Sequence, residues 1–110
     1  MQSMRVIICN VPDQETGRAI ANALLARRLA ACVNLLPGVQ SIYRWQGVIH
    51  EAREVTMIIK TVASRYQEVE QTIRSLHPYE LPEIIGVPIS DGLTAYMDWV
   101  NAETRNEQDV

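Results

Sequence analysis

The sequence predicts an α+β domain in which two helices cover one face of an antiparallel sheet. Three observations carry this prediction. Apolar runs of strand length alternate with helical stripes, their order is strand, helix, strand, strand, helix, strand, and one more helical stretch closes the chain. The length of 110 residues is that of one domain, so we expect residues 1–110 to form a single unit.

The first strand and helix follow from a short apolar run and a helix start. Residues 4–11 form the run, which ends at Pro12-Asp13. Asp13 is a good N-cap, because its carboxylate can accept a hydrogen bond from a free N–H of the first turn. Apolar residues then recur at helical spacing through residue 28. The sequence therefore predicts a buried strand followed by an amphipathic helix.

The two central strands form an unusually long hairpin. Residues 32–45 and 48–61 are both strand-like, and Gln46-Gly47 between them suits a tight turn. Pro37-Gly38 predicts a bulge, because the extended pattern continues on both sides of it. Each strand has about 14 residues, whereas strands usually have about 5 or 6. We therefore expect the hairpin to extend beyond the rest of the sheet.

The second half of the chain predicts three further elements and a tail. Ser64 and Gln67 form a capping box, which predicts a helix that begins after Ser64 and ends before Pro78. An edge strand follows over residues 83–89. A last helix begins at Thr94. Residues 104–110 are polar, and we expect this tail to fray.

The order of the first six elements is the split βαβ pattern of ferredoxin-like folds. Two helices of about four turns each cannot cover strands of about 14 residues. An exposed ribbon carrying Tyr43, Trp45 and Ile49 is an aggregation hazard in a monomer. We therefore expect an oligomer whose edge strands pair between subunits, and a closed ring avoids open-ended growth.

Composition excludes several classes of protein. The net charge is -3, Lys60 is the single lysine, and the arginines are scattered, so no basic stripe for nucleic acid is present. No run approaches the ~18 apolar residues of a membrane helix, and no secretory signal pattern stands at the N-terminus. We expect a cytoplasmic protein. Cys9 and Cys32 form neither a disulfide framework nor a zinc motif.

Four segments are specific enough to indicate a family. They are LAACVN at 29–34, IYRWQG at 42–47, MIIKT at 57–61 and HPYELPEII at 77–85. With these segments in this order, the chain resembles the CutA family along nearly its whole length. The resemblance implies a ferredoxin-like homotrimer, similar in architecture to PII signalling proteins, that is linked to copper and divalent-cation tolerance.

A metal site is predicted where the first and fourth strands meet. Their antiparallel pairing brings Cys9 toward the segment from His77 to Glu83. A thiolate and an imidazole suit copper, and a carboxylate can add a third ligand. The resemblance implies copper ligands at Cys9 and at two adjacent histidines, of which His77 matches the second while Leu76 replaces the first. The alternative is that Cys9 is a buried apolar residue and His77 ends a helix.

A second group of residues falls around the clefts between subunits in CutA relatives. It comprises Tyr43, Trp45, Lys60 and Tyr79. Lys60 could hold a phosphate or carboxylate there, which would make the protein a PII-like regulator that binds a small anion. Alternatively, the aromatic side chains anchor the trimer interface and Lys60 pairs with Glu54 or Glu83. A trimer that only scaffolds a partner is a third possibility.

Catalysis has little support in the sequence. The chain has no glycine-rich phosphate loop, no HExxH motif and no nucleophile elbow. We therefore predict a binding protein rather than an enzyme.

Overall fold

A computed structural model describes residues 3–105. These residues fold into four strands and three α-helices in the predicted order. They are β1 (Met4–Val11), α1 (Gln14–Ala26), β2 (Cys32–Trp45), β3 (Val48–Val62), α2 (Tyr66–Leu76), β4 (Ile84–Pro88) and α3 (Thr94–Glu103). The sheet order is β2-β3-β1-β4 and every neighbouring pair is antiparallel. The predicted ferredoxin-like α+β fold is therefore confirmed.

The helix starts agree with the sequence in one case and differ in another. Asp13 caps α1 as predicted, because its Oδ1 accepts a hydrogen bond from Thr16 N at 2.8 Å. That bond stabilises the carboxylate and lowers the pKa of Asp13. The second helix begins at Tyr66 and not directly after Ser64, the predicted N-cap, because a 3₁₀ turn over Ala63–Arg65 carries the chain from β3 into α2.

The main core lies between the sheet and the two helices α1 and α2. Alternate residues of β1 and β3 face these helices, as the pleat of a strand requires. The buried cluster includes Ile7, Cys9, Val11, Met57, Ile59, Ile20, Leu24, Val69 and Ile73. Burying an aliphatic side chain of this size contributes about 1.5–3 kcal/mol, so this layer supplies most of the stability of the protomer.

The third helix packs across one end of the sheet. Val100 of α3 lies in a second buried cluster with Met4 and Val62. The buried guanidinium of Arg65 holds the end of the helix, since its Nε donates to Thr104 O at 2.8 Å. Thr104 is itself buried. Residues 106–110 of the tail that was expected to fray lie outside the described residues, so the fraying stays a prediction.

The central hairpin is as long as predicted. Strands β2 and β3 have 14 and 15 residues, and their register shifts between Leu36 and Val39, which confirms the bulge. Gly38 in the bulge has a φ of 76°, a left-handed conformation that favours glycine. Strand β1 ends opposite Val55, so residues 48–54 of β3 and their partners on β2 extend past the rest of the sheet.

The face of the sheet opposite α1 and α2 is only partly covered. We call it the open sheet face, and its residues are Val6, Ile8, Asn10, Cys32, Asn34, Leu36, Thr56, Ile58, Lys60, Ile85 and Val87. Ile85 and Val87 of β4 are 49% and 40% exposed, and Ile42 and Ile49 of the hairpin are 65% and 64% exposed. By the alternation of the strands, Ile85 and Val87 lie on the open sheet face, whereas Ile42 and Ile49 lie on the other face, where the hairpin extends past β1. The protomer thus exposes two apolar surfaces.

Replacing Arg65 tests how α3 is held. We expect Arg65→Met to destabilise the packing of α3 by about 1–3 kcal/mol, because Thr104 O would be left buried without its donor. Hydrogen exchange of the α3 amides measures this directly, and Arg74→Met on the exposed side of α2 is the matched control. Unchanged protection of α3 in Arg65→Met would show that the guanidinium does not hold the helix.

Candidate functional site

Polar side chains converge where β1 ends and β4 begins. We call the group formed by Asn10, Glu54, Thr56, His77, Tyr79 and Glu83 the polar network. The last residues of β1, the hairpin and the loop after α2 meet there because β1 runs antiparallel to both β3 and β4. The predicted proximity of Cys9 to the segment from His77 to Glu83 is therefore observed.

His77 is bonded to backbone through both ring nitrogens. Its Nδ1 accepts a hydrogen bond from Tyr79 N at 3.1 Å, and its Nε2 lies 2.7 Å from Asn10 O. Since a ring nitrogen that accepts carries no proton, Nε2 is the protonated nitrogen and donates to Asn10 O. The ring thus joins the loop after α2 to the end of β1, and it is 8% exposed.

The thiol of Cys9 is buried and neutral. Its side chain is fully buried among the core residues, and Sγ lies 3.8 Å from Asn10 O. Burial, reinforced by the negative charges of Glu83 and Glu54, raises the pKa of Cys9 to about 12. A thiol with this pKa stays protonated at neutral pH, and the thiolate is the form that binds metal.

Glu83 is engaged by the amide of Asn10. Asn10 Nδ2 donates to Glu83 Oε1 at 3.1 Å, and Asn10 Oδ1 accepts from Thr56 Oγ1 at 2.7 Å. One amide side chain therefore connects β1 with both β3 and the start of β4. Both ends of that amide are satisfied, which fixes its orientation.

The three predicted metal ligands do not form a ligand set as they are placed. Cys9 is protonated, both nitrogens of His77 hold backbone groups, and Glu83 accepts from Asn10. Across residues 3–105, no group of three or more histidine, cysteine, aspartate or glutamate side chains is arranged to hold a metal ion. Leu76, at the position where the family resemblance implies the first histidine of the pair, is 45% exposed and offers no donor atom.

Sequence reasoning missed how Glu54 and Tyr79 are arranged. Tyr79 Oη donates to Glu54 Oε2 at 2.9 Å, and Glu54 is only 7% exposed. Burial and the bond to this carboxylate raise the pKa of Tyr79 to about 12. The two ion pairs found within residues 3–105 are Arg28–Glu103 and Arg65–Glu68, so neither compensates the charge of Glu54. An acidic residue directly before the apolar run of β3 was the only signal in the sequence.

The four predicted cleft residues are spread along the protomer. Tyr43 stacks on His50 in the hairpin, with ring centroids 5.6 Å apart, and Trp45 adjoins the turn. Lys60 lies on the open sheet face, where Nζ bonds Asn34 Oδ1. Because the partner of Trp45 is Val48, twelve residues of β3, or roughly 40 Å, separate the tip from Lys60.

The expected pairing of Lys60 with a glutamate is absent from the described part of the protomer. Lys60 Nζ bonds the amide oxygen of Asn34 and lies 3.9 Å from the sulfur of Cys32. Cys9 and Cys32 are both free thiols.

No helix within residues 3–105 is long and apolar enough to cross a membrane.

Comparisons with known proteins agree with this fold. The chain is 43% identical over 99 residues to the divalent-cation tolerance protein CutA of Thermus thermophilus, covering 90% of this chain and 96% of that protein. The crystal structure of CutA from Xylella fastidiosa matches with a TM-score of 0.91 and 41% identity, over 94% of this chain and 99% of that one. The structure described as the periplasmic divalent cation tolerance protein CutA from Archaeoglobus fulgidus matches with a TM-score of 0.90 and 35% identity, over 93% and 99%.

The family model described as CutA1 divalent ion tolerance protein matches residues 5–103. This range includes all three helices and all four strands, except for Met4 at the start of β1. The chain therefore belongs to the CutA1 divalent ion tolerance protein family.

Proposed function

We propose that this protein is a non-catalytic homotrimer that acts in tolerance of divalent cations. The observation that carries the proposal is the family match over residues 5–103, together with relatives named for divalent-cation tolerance. His77 and the neighbouring Cys9 support a role other than catalysis, because the histidine ring bonds to backbone groups through both nitrogens and the thiol is buried and protonated. The cytoplasmic location remains a prediction from the sequence.

The shape of the protomer supports self-association. Strands β2 and β4 are the outer strands of the sheet, so each presents one unpaired edge. The hairpin exposes Ile42, Ile49 and Val48 by more than half, and the open sheet face adds Ile85 and Val87. A second copy that pairs with these edges would bury both apolar surfaces at once, and ring closure would leave no edge free.

The family resemblance implies copper ligands at Cys9 and His77, and the strand pairing adds Glu83 as a candidate third ligand. Metal binding at these residues would disrupt contacts that the fold makes. A metal must displace a backbone partner of His77 and remove the proton of a thiol whose pKa is about 12. We infer that these residues act by fixing the loop after α2 against β1. Copper binding by them is the alternative, and titration distinguishes the two.

The PII-like alternative requires a cleft shared between protomers. Lys60 and Trp45 lie at opposite ends of one hairpin, so a pocket that uses both must take them from different copies. Small anionic metabolites that raise the melting temperature of the wild type but not of Lys60→Ala would support that function.

The mass in solution tests the assembly. Light scattering at micromolar concentration should give about 37 kDa, three times the chain mass of 12.4 kDa. An Ile49→Glu variant should shift the protein toward smaller species, because it places a charge in the apolar hairpin surface. Glu51→Gln, exposed on the same strand, is the control. A wild-type mass of 12.4 kDa would refute the trimer.

Copper titration tests the metal assignment. We expect Cys9→Ser and His77→Gln to bind Cu(II), Cu(I) and Zn(II) with the same stoichiometry as the wild type by isothermal titration. The reason is that both residues are engaged within the fold. Loss of one equivalent in both variants would establish the predicted copper site and contradict the purely structural role.

Alkaline pH tests the buried thiol. Because the folded state raises the pKa of Cys9 from 9.0 to about 12, its neutral form stabilises the fold fully below pH 9. That stabilisation is lost as pH rises from 9 to 12, with a slope approaching about 1.4 kcal/mol per pH unit. Denaturant unfolding at several pH values should show a shallower slope for Cys9→Ala than for the wild type. Equal slopes would mean that Cys9 does not contribute.

A further inference from the structure

Glu54 is a buried carboxylate whose charge has no partner within residues 3–105. Its one hydrogen bond comes from the neutral hydroxyl of Tyr79 at 2.9 Å, and the residue is only 7% exposed. A buried charge is costly unless an opposite charge compensates it. The protomer therefore presents a position that favours a cation from outside.

Lys60 is a cation that has no carboxylate partner within residues 3–105. It lies on the open sheet face in register with Cys32 on β2 and with Val6 on β1, and Val6 in turn pairs with Val87. Its contact with Asn34 is to a neutral amide oxygen. If a second copy covers this apolar face, the ammonium loses water and needs a carboxylate nearby.

The two groups cannot meet inside one protomer. Both lie on β3, and the alternation of the strand places them on the same face. Six residues of extended strand separate them, which is roughly 20 Å and more than the combined reach of a lysine and a glutamate. A contact between them therefore requires two copies of the chain.

The other cations of the hairpin are weaker candidates. Arg44 and Arg53 are exposed, so water already solvates their charges. Lys60 differs because it is only partly exposed and stands in an apolar row of the sheet. Of the cations on the hairpin, it is the one that gains most from a carboxylate when the face is covered.

We propose that the Glu54 carboxylate of one protomer pairs with the Lys60 ammonium of the next protomer in the assembly. The inference rests on the homotrimer proposed above and specifies what holds its subunits in register. The contact is heterologous, because each protomer contributes Glu54 to one neighbour and Lys60 to the other, so that a closed ring of three makes three equivalent pairs.

Subunit exchange in a double-mutant cycle tests the pair. Wild type, Glu54→Gln, Lys60→Met and the double variant are each mixed with isotope-labelled protein of the same sequence, and native mass spectrometry follows the mixed trimers. We expect each single variant to exchange about tenfold faster or more, and the double variant to exchange no faster than the singles. Glu51→Gln, an exposed carboxylate on the same strand, should exchange like the wild type.

A charge swap gives a second readout that does not depend on the singles remaining well folded. Glu54→Lys combined with Lys60→Glu should restore slow exchange, because the swap recreates a pair only between protomers. Additive effects of the single variants, or no effect, would overturn the pair while leaving the trimer intact. A wild type that is monomeric by mass would instead overturn the assembly and the pair together.

Discussion

The length of the β2–β3 hairpin is the constraint on which the rest of this structure depends. Strands β2 and β3 have 14 and 15 residues, whereas β1, the other neighbour of β3, has only 8. Almost half of the hairpin therefore extends past β1 and past the cover of the helices. The helices α1 and α2 bury one face of the sheet, which leaves the other face and the hairpin apolar and exposed. The protomer has a fully formed core, but its exposed apolar surfaces and strand edges have no cover within the protomer.

The order of elements, the antiparallel sheet and the hairpin were all predictable, because each depends on local signals. Asp13 before a helical stripe, Pro37-Gly38 inside a strand and Gln46-Gly47 between two strands act over a few residues. The start of α2 was not predicted correctly. The 3₁₀ turn over Ala63–Arg65 depends on contacts of Arg65 with Glu68 and with Thr104, and the second of these is distant in sequence.

The candidate site shows where sequence reasoning ends. Topology alone placed Cys9 near His77 and Glu83, but the chemistry of those residues depends on contacts that no spacing reveals. The tautomer of His77 follows from the hydrogen bonds that its ring makes with Tyr79 N on one side and Asn10 O on the other. The neutral thiol of Cys9 follows from burial beside two carboxylates. Of the residue types that suit copper, His77 thus joins a loop to a strand and Cys9 fills part of the core.

The central claim is that a second copy of the chain covers the hairpin and the edges of the sheet. Hydrogen exchange of the outward-pointing amides along residues 39–45 of β2 tests it most directly, because these amides have no partner within the protomer. The account predicts that they exchange as slowly as the amides of the central strands β1 and β3, since a neighbouring subunit pairs with them. Exchange at the rate of an exposed edge strand in the wild-type protein at micromolar concentration would contradict it.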